Sequence, residues 1–428
     1  MTLTIFIGSL LLAMAIGIPI SMALLVSGVA LMWHMDMFEA QILAQNLLGG
    51  ADNYPLLAVP FFLLAGEIMN EGGLSKRIVE FAMALVGHIR GGLGYVTIVA
   101  SILLSALSGS AVADAAALTT MLLPMMVAAG HAPHRAAGLI AGSGVIAPVL
   151  PPSIGLIIFG VTANVSISKL FMAGIVPGLL MGVSLCITWA IVARKEGLTP
   201  PPRKPLRELL VTARRCGWAL MLPVIILVGL RMGVFTPTEA GVVAAVYALF
   251  VATVIYRGLT LRQLYGIFRT AAKTTGVVMF LVAAAMVSSW LITVADLPGK
   301  VVGMLQPFMD SPIMLMVMIM VLVMIVGTAM DMTPTILILT PVLMPVVMAG
   351  GIDPVYFGVM FIMNNAIGLV TPPVGVVLNV VAGVGKMSMD TVTKGVMPFM
   401  TAQFIIMFLM VLFPWIVTGP AKFFHSGF

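Results

Sequence analysis

Charge is the scarcest property of this chain. Of its 428 residues only 8% are Asp, Glu, Lys or Arg, against about a quarter in an ordinary soluble domain. Hydrophobic residues make up 61%, so there is too little polar surface to cover an apolar interior, and lipid must be part of the solvent. That excludes a soluble globular domain, a disordered chain and a nucleic-acid binder. Cysteine is nearly missing too. Cys186 lies inside an apolar run and Cys216 at the start of another, which builds no disulfide framework. No G-x-x-x-x-G-K-[ST] loop occurs, so ATP does not drive this chain directly. There is no H-E-x-x-H, no G-x-S-x-G and no paired-cysteine motif. No catalytic residue, no organic cofactor and no transition metal is therefore expected. The 36 methionines read as flexible packing. The first residues, MTLTIFIGSLLLAMAIG, lack a basic start, and their apolar run continues to Trp33. That predicts a first membrane helix, kinked near Gly17-Ile18-Pro19, rather than a cleaved leader.

Apolar runs long enough, or nearly so, to span a bilayer fall at roughly 4–33, 54–70, 136–163, 170–193, 217–235, 238–256, 275–295, 355–383 and 396–417. Two stretches differ. Runs 91–128 and 311–349 are each interrupted by small polar residues, at Ser108-Gly109-Ser110 and at 327–331. Each is two spans or one re-entrant hairpin. Loop charge constrains the sides. The stretch from Arg194 to Arg215 carries Arg194, Lys195, Arg203, Lys204, Arg207, Arg214 and Arg215 against two Glu, so it is cytoplasmic by the positive-inside rule. Lys76, Arg77 and Arg90 fall on the same side. The loop 34–53 and Asp296, Asp310 and Asp353 fall outside. Both interrupted stretches then start and end on one side, and their polar tips favour hairpins.

Prolines reveal an internal repeat. Pro124, Pro133, Pro151, Pro152 and Pro177 are each followed 221 residues later by Pro345, Pro354, Pro372, Pro373 and Pro398. Each copy reads as span, hairpin, broken span, span. An odd number of crossings per copy inverts the second copy relative to the first, as in secondary transporters. The expected fold is an all-α polytopic membrane protein, an inverted-repeat ion-transporter fold with two re-entrant helical hairpins and two spans broken at Pro-Pro. Expected boundaries are 1–53 for an N-terminal scaffold span and outer loop and 54–195 for the first repeat. Residues 196–274 would form cytoplasmic loops and two scaffold spans, and 275–428 the second repeat. The segments 74–90 and 297–309 before the hairpins read as arms along the interface.

A Pro-Pro pair unwinds a helix and frees carbonyls. In a membrane these stay open only where something fills them, and Na⁺ is a natural filler. Ser108, Gly109 and Ser110 at one tip, and Gly327, Thr328 and Asp331 at the other, add oxygen ligands suited to a hard cation. Asp114 either carries a proton or caps the returning helix. Asn364-Asn365, just before the second break, either touches substrate or joins helices.

These motifs carry a family resemblance. SALSGSAVAD (105–114), IAPVLPP (146–152), MDMTPT (330–335), ILTPVLMP (338–345) and GLVTPP (368–373) resemble the large membrane subunit of TRAP transporters over nearly the whole chain. GEIMN (66–70), GLSKR (73–77) and FTPTEAG (235–241) are most similar to the 2,3-diketo-L-gulonate branch. The resemblance implies a permease in the bacterial inner membrane, with a separate small four-helix membrane subunit and a periplasmic substrate-binding protein. It implies import of an organic or sugar acid, like 2,3-diketo-L-gulonate or a C4-dicarboxylate, by Na⁺ symport and an elevator movement. One Na⁺ site would use Ser108, Gly109, Ser110, Gly144, Ala147, Pro148 and Pro151. A second would use Gly327, Thr328, Asp331, Thr371 and Pro372. Substrate would lie between the tips, near Ser110, Asn364, Asn365, Pro152 and Pro373. The rival readings are an H⁺-coupled or stand-alone organic-anion transporter, an intramembrane aspartyl enzyme and a channel.

Overall fold

The computed structural model describes residues 2–194, 202 and 205–425, so Lys195, Arg203 and Lys204 of the basic stretch lie outside the described residues. Among the described residues every regular element is a helix. The chain opens with α1 (Thr2–Ala15), α2 (Ile20–His34) and α3 (Ala40–Ala51). Then come α4 (Ala58–Glu71), α5 (Leu74–Val86), α6 (Gly92–Ser108), α7 (Ala111–Ala128), α8 (Pro133–Gly144), α9 (Ile154–Thr162) and α10 (Ile167–Arg194). Two further helices, α11 (Leu206–Arg231) and α12 (Pro237–Phe250), lead to α13 (Leu261–Val294) and α14 (Leu297–Leu305). The rest is α15 (Pro312–Gly327), α16 (Met332–Ala349), α17 (Pro354–Gly368), α18 (Val376–Gly385), α19 (Met389–Leu412) and α20 (Trp415–His425). Among the described residues, seven helices are long and apolar enough to cross a membrane. The pair formed by α3 and α4, bent by 51°, makes an eighth if counted as one span.

The repeat seen in the prolines is built into the helices. Helices α7 and α16 are both 18 residues long and start 221 residues apart. Helices α8 and α17 both open on a first-turn proline, Pro133 and Pro354, where the missing N–H would have had no partner. Both spans break where expected, between α8 and α9 and between α17 and α18, and the peptides Pro151-Pro152 and Pro372-Pro373 are both cis.

Elsewhere the helices depart from the apolar runs. The run 4–33 is two helices, α1 and α2, packed on one another. Ile18 N donates to Ala13 O at 3.0 Å and Gly17 takes φ +86°, which closes α1 before Pro19. The loop 34–53 contains α3, which packs on α13. Helix α11 starts eleven residues before the apolar run at 217, so Arg207, Arg214 and Arg215 are helical rather than in a loop. Helix α13 starts at Leu261 rather than near 275. The run 396–417 divides between α19 and α20.

Packing sorts the helices into two groups. Helix α13 touches α2, α3 and α4, and α4 also packs on α12. Ser288 Oγ on α13 donates to Leu24 O on α2 at 3.2 Å. The second group interleaves the two copies: α8 packs on α19, and α17 on α10. At the first crossing a Cβ on Gly138 would overlap the carbonyl of Gly395, so both glycines are needed for the backbones to meet. At the second, Gly358 faces Leu170 and the Phe159 ring. Phe159, Phe357 and Phe361 form a buried cluster with centroids 5.5 to 6.0 Å apart. Lipid is as apolar as these side chains, so close packing rather than exclusion of water stabilises such contacts.

Candidate functional site

The first tip is built by Gly109 and Ser110. Gly109 ends α6 with φ +60°, a conformation that disfavours any Cβ. A Cβ there would also lie 2.6 Å from Pro152 O and 3.1 Å from Ser153 Cα, so the tip rests directly on the first break. Ser110 starts α7 from an extended conformation, and its Oγ accepts from Ala113 N at 3.4 Å. Ser110 N donates to Ser108 Oγ at 3.2 Å. Ser108 Oγ in turn donates to Asp114 Oδ1 at 2.5 Å.

The first break spans 145–153. Ser153 Oγ donates to Pro148 O and accepts from Leu156 N at 3.2 Å, capping α9. Gly144 lies against α7, where a Cβ would sit 3.1 Å from Ala115 Cβ and 3.2 Å from Ala111 O. Gly144 O accepts from Ala147 N at 3.2 Å. Ser101 Oγ, on α6, donates to Ser143 O at 2.6 Å. Pro151, Pro152 and Ser153 are all buried. Among the described residues, Asp114 Oδ2, on a side chain only 1% exposed, has no partner, and the buried Ser143 Oγ has none either.

The second tip follows α15. Gly327 and Gly368 meet backbone to backbone, and a Cβ on Gly368 would lie 2.8 Å from Gly327 O. A Cβ on Gly327 would lie 3.4 Å from Asn365 Oδ1, which places that amide oxygen beside the tip. Thr328 Oγ1 donates back to Ile325 O at 2.8 Å. Asp331 starts α16 from an extended conformation, makes no side-chain cap bond and is exposed. In the break 369–375, Thr371 Oγ1 donates to Ile367 O at 2.8 Å. Pro372 is half-buried, whereas Pro373 and Val374 are exposed. Asn364 Nδ2 donates to Met320 O on α15 at 2.6 Å, and Asn365 Nδ2 to Phe361 O at 3.2 Å. Those bonds fix both amide orientations and leave both buried Oδ1 atoms without partners.

The structure therefore brings Ser108, Gly109 and Asp114 together beside the Pro152-Ser153 edge of the first break, and it places Gly144 against the start of α7. It brings Gly327 together with Asn365 and Gly368. Asp331 is exposed, unlike these buried oxygens, and Asn364 Nδ2 is bonded to Met320 O in the middle of α15. One residue escaped the sequence reading. Ser143 lies 221 residues before Asn364, so the two are equivalent positions in the repeat. Each lies within the last five residues of the helix that precedes a break, is linked to the first helix of its own tip, and holds a buried oxygen without a partner among the described residues. The proline offset already contained that signal. Leaving such an oxygen unsatisfied costs roughly 1–3 kcal/mol, more if it is charged, and oxygen-only surroundings of this kind suit a hard cation.

Comparisons with known proteins identify the family of the chain. The family model described as "Tripartite ATP-independent periplasmic transporter, DctM component" matches residues 7–416. The chain is 56% identical over 422 residues, 99% of each chain, to the 2,3-diketo-L-gulonate TRAP transporter large permease protein YiaN of Escherichia coli. It is 41% identical over 398 residues, 93% of each chain, to the sialic acid TRAP transporter large permease protein SiaM of Vibrio cholerae. The fold is similar to the crystal structure of the Alcanivorax borkumensis YdaH transporter, with a TM-score of 0.65 and 16% identity over 89% of this chain and 88% of that one. With family model, relatives and architecture in accord, this chain belongs to the DctM family, the large permeases of tripartite ATP-independent periplasmic transporters.

Proposed function

We propose that this protein is the large permease of a binding-protein-dependent secondary transporter that imports an organic or sugar acid together with Na⁺. The observation that carries this reading is the placement of buried oxygens that have no partner among the described residues: Asp114 Oδ2 and Ser143 Oγ beside the first break, Asn364 Oδ1 and Asn365 Oδ1 beside the second, with Ser143 and Asn364 at equivalent positions of the repeat. Na⁺ is cargo here. Asp114, Ser108 and Ser143 with backbone carbonyls of 144–151 would hold one ion, and Asn365, Gly327 and Thr371 would help to hold another. An anionic substrate would lie between the tips, attracted by the ions and by the free N–H groups at the N-termini of α7 and α16. An elevator-type movement would carry the interleaved group, with the two tips, past the group built on α13. The tips would act as re-entrant hairpins from opposite faces of the inner membrane.

The substrate is proposed to be like 2,3-diketo-L-gulonate, the acid in the name of the Escherichia coli relative. A small membrane subunit and a periplasmic binding protein complete the transporter in this reading. Acidic residues at Asp36, Glu39, Asp52, Asp296 and Asp310 are placed outside by loop charge and would repel a free anion, which favours delivery by a docked partner. The test is uptake into proteoliposomes holding this chain and the small subunit, with a panel of acids. The expected result is uptake only with both an inward Na⁺ gradient and the binding protein. Robust uptake without the binding protein would favour a stand-alone transporter. A second reading, H⁺ coupling through Asp114, rests on its complete burial with a single partner, and uptake driven by a pH gradient without Na⁺ would select it.

A further inference from the structure

Away from the tips, α5, α11 and the segment that follows α12 line a cavity of about 670 Å³. It lies on the side that loop charge marks as cytoplasmic. Among the described residues, four of its lining side chains are cationic, Lys76, Arg77, Arg214 and Arg215, and Glu80 is its one carboxylate. The balance is thus strongly positive. Arg77 is held in place: its guanidinium donates to Gly73 O at 2.9 Å and lies 3.8 Å from the centroid of the Tyr256 ring. Tyr256 is itself anchored, its hydroxyl donating to Arg215 O at 2.5 Å. Lys76, Arg214 and Arg215 are exposed, and their side chains make no ion pair or hydrogen bond among the described residues. The cavity is lined by the first turn of α5, whose dipole adds to the attraction for an anion. Trp218 and Val211 on α11 add apolar surface at the same level, and an exposed Trp beside basic residues is typical of the bilayer interface.

We infer that this cavity binds a phosphate ester, the headgroup of an anionic phospholipid from the cytoplasmic leaflet. The fixed arginine over Tyr256 and three free cations supply the charge and donors for a phosphodiester, and Arg in particular matches its geometry. The apolar part of the lining lets the acyl chains leave along α11, whose span is only 28% buried. Basic pockets between membrane helices on this side are suited to such headgroups. The occupied cavity would tie α5 to α11 by a ligand rather than by protein contacts alone. This inference does not depend on the identity of the transported acid or of the coupling ion.

The test uses the full chain purified in detergent and native mass spectrometry after incubation with phosphatidylglycerol, cardiolipin, phosphatidylcholine or inorganic phosphate. The expected result is retention of an anionic phospholipid in preference to phosphatidylcholine. R214Q should lower that retention by about fivefold, and the triple variant K76Q/R214Q/R215Q by about that factor for each charge removed. A control triple variant, R262Q/R269Q/K273Q, removes the same charge from exposed positions near the start of α13 and should retain the lipid. Equal loss in both triple variants, or equal retention of phosphatidylcholine, overturns the proposal. Binding of inorganic phosphate without any retained lipid assigns the cavity to a soluble phosphate ester and overturns the lipid source.

Discussion

Ser108 Oγ and Asp114 Oδ1 are 2.5 Å apart across the turn at Gly109, so the last residue of α6 is hydrogen-bonded to the first turn of α7. The bond closes the tip from within. It also leaves one carboxylate oxygen, Oδ2, buried with nothing to accept from. Ser108→Ala should remove a hydrogen bond to a charged acceptor, about 1.5–3 kcal/mol, and raise the Na⁺ concentration for half-maximal uptake by about tenfold or more. Unchanged Na⁺ dependence in a normally expressed variant would count against a role for this tip in holding the ion.

Ser143→Ala separates function from folding. Its hydroxyl has no partner, so its removal should leave the thermal midpoint unchanged or slightly higher, while Na⁺ dependence weakens. The equivalent change Asn364→Ala also strips the bond to Met320 O, and should lower stability by about 1–3 kcal/mol as well. Thermal shift assays with and without Na⁺ distinguish the two. A matched loss of midpoint in both would show that Ser143 is structural.

Ser153 caps α9 and satisfies Pro148 O. Ser153→Ala should cost about 1–2 kcal/mol through loss of the cap, with a lower thermal midpoint and uptake reduced mainly through the amount of folded protein. A midpoint equal to that of the unmodified chain would show that the break does not need this hydroxyl.

Gly138→Ala and Gly395→Ala should be far more damaging than Gly276→Ala. A Cβ at either of the first two positions would run into a backbone carbonyl, whereas nothing lies within 4 Å of the third. Fluorescence-detected size-exclusion should show aggregation for the two crossing variants. The Gly276 variant should keep a sharp peak, with a gain of about 0.5–1 kcal/mol from better helix propensity. A sharp peak for Gly138→Ala would mean that α8 and α19 can separate without loss of the fold.

The inverted arrangement can be read by labelling. With Cys186 and Cys216 replaced by alanine, Ala113→Cys and Ala329→Cys should react from opposite faces of the membrane, and differently with Na⁺ and substrate. Reaction of both from one face under all conditions would refute the inversion.

What the sequence disclosed follows from how local each constraint is. Proline acts on its own residue and the one before it, so Pro151-Pro152 and Pro372-Pro373 located the breaks and their spacing revealed the repeat. Hydropathy, by contrast, registers what lipid touches, not where a helix ends. Helix α13 begins at a capping box, with Thr260 Oγ1 accepting from Gln263 N and Gln263 Oε1 from Thr260 N, and its first turns carry Arg262 and Arg269 outside any apolar run. The T-x-x-Q signature was legible, but an apolar window passes over it. The interruption near Gly17-Ile18-Pro19 was legible from its proline, but the packing of α1 on α2 was not, because the apolar run is continuous across it. At the tips, the residue types of the proposed ligands could be read. That Ser143 Oγ lacks a partner could not, since an unsatisfied atom is defined by every neighbour that fails to reach it.

The crossing of α8 with α19 has a consequence for the making of the protein. In the sequence 257 residues separate Gly138 from Gly395, so the groove that Gly138 opens on α8 is covered only by a segment synthesised much later. At about 5–20 residues per second, α8 waits on the order of ten to fifty seconds, already in the membrane, before its partner emerges. During that interval the first copy is an unfinished half with close-packing glycines facing lipid. Ribosome-stalled chains ending before α19 should therefore be the form that membrane quality-control proteases recognise, and the two copies must mature together or not at all.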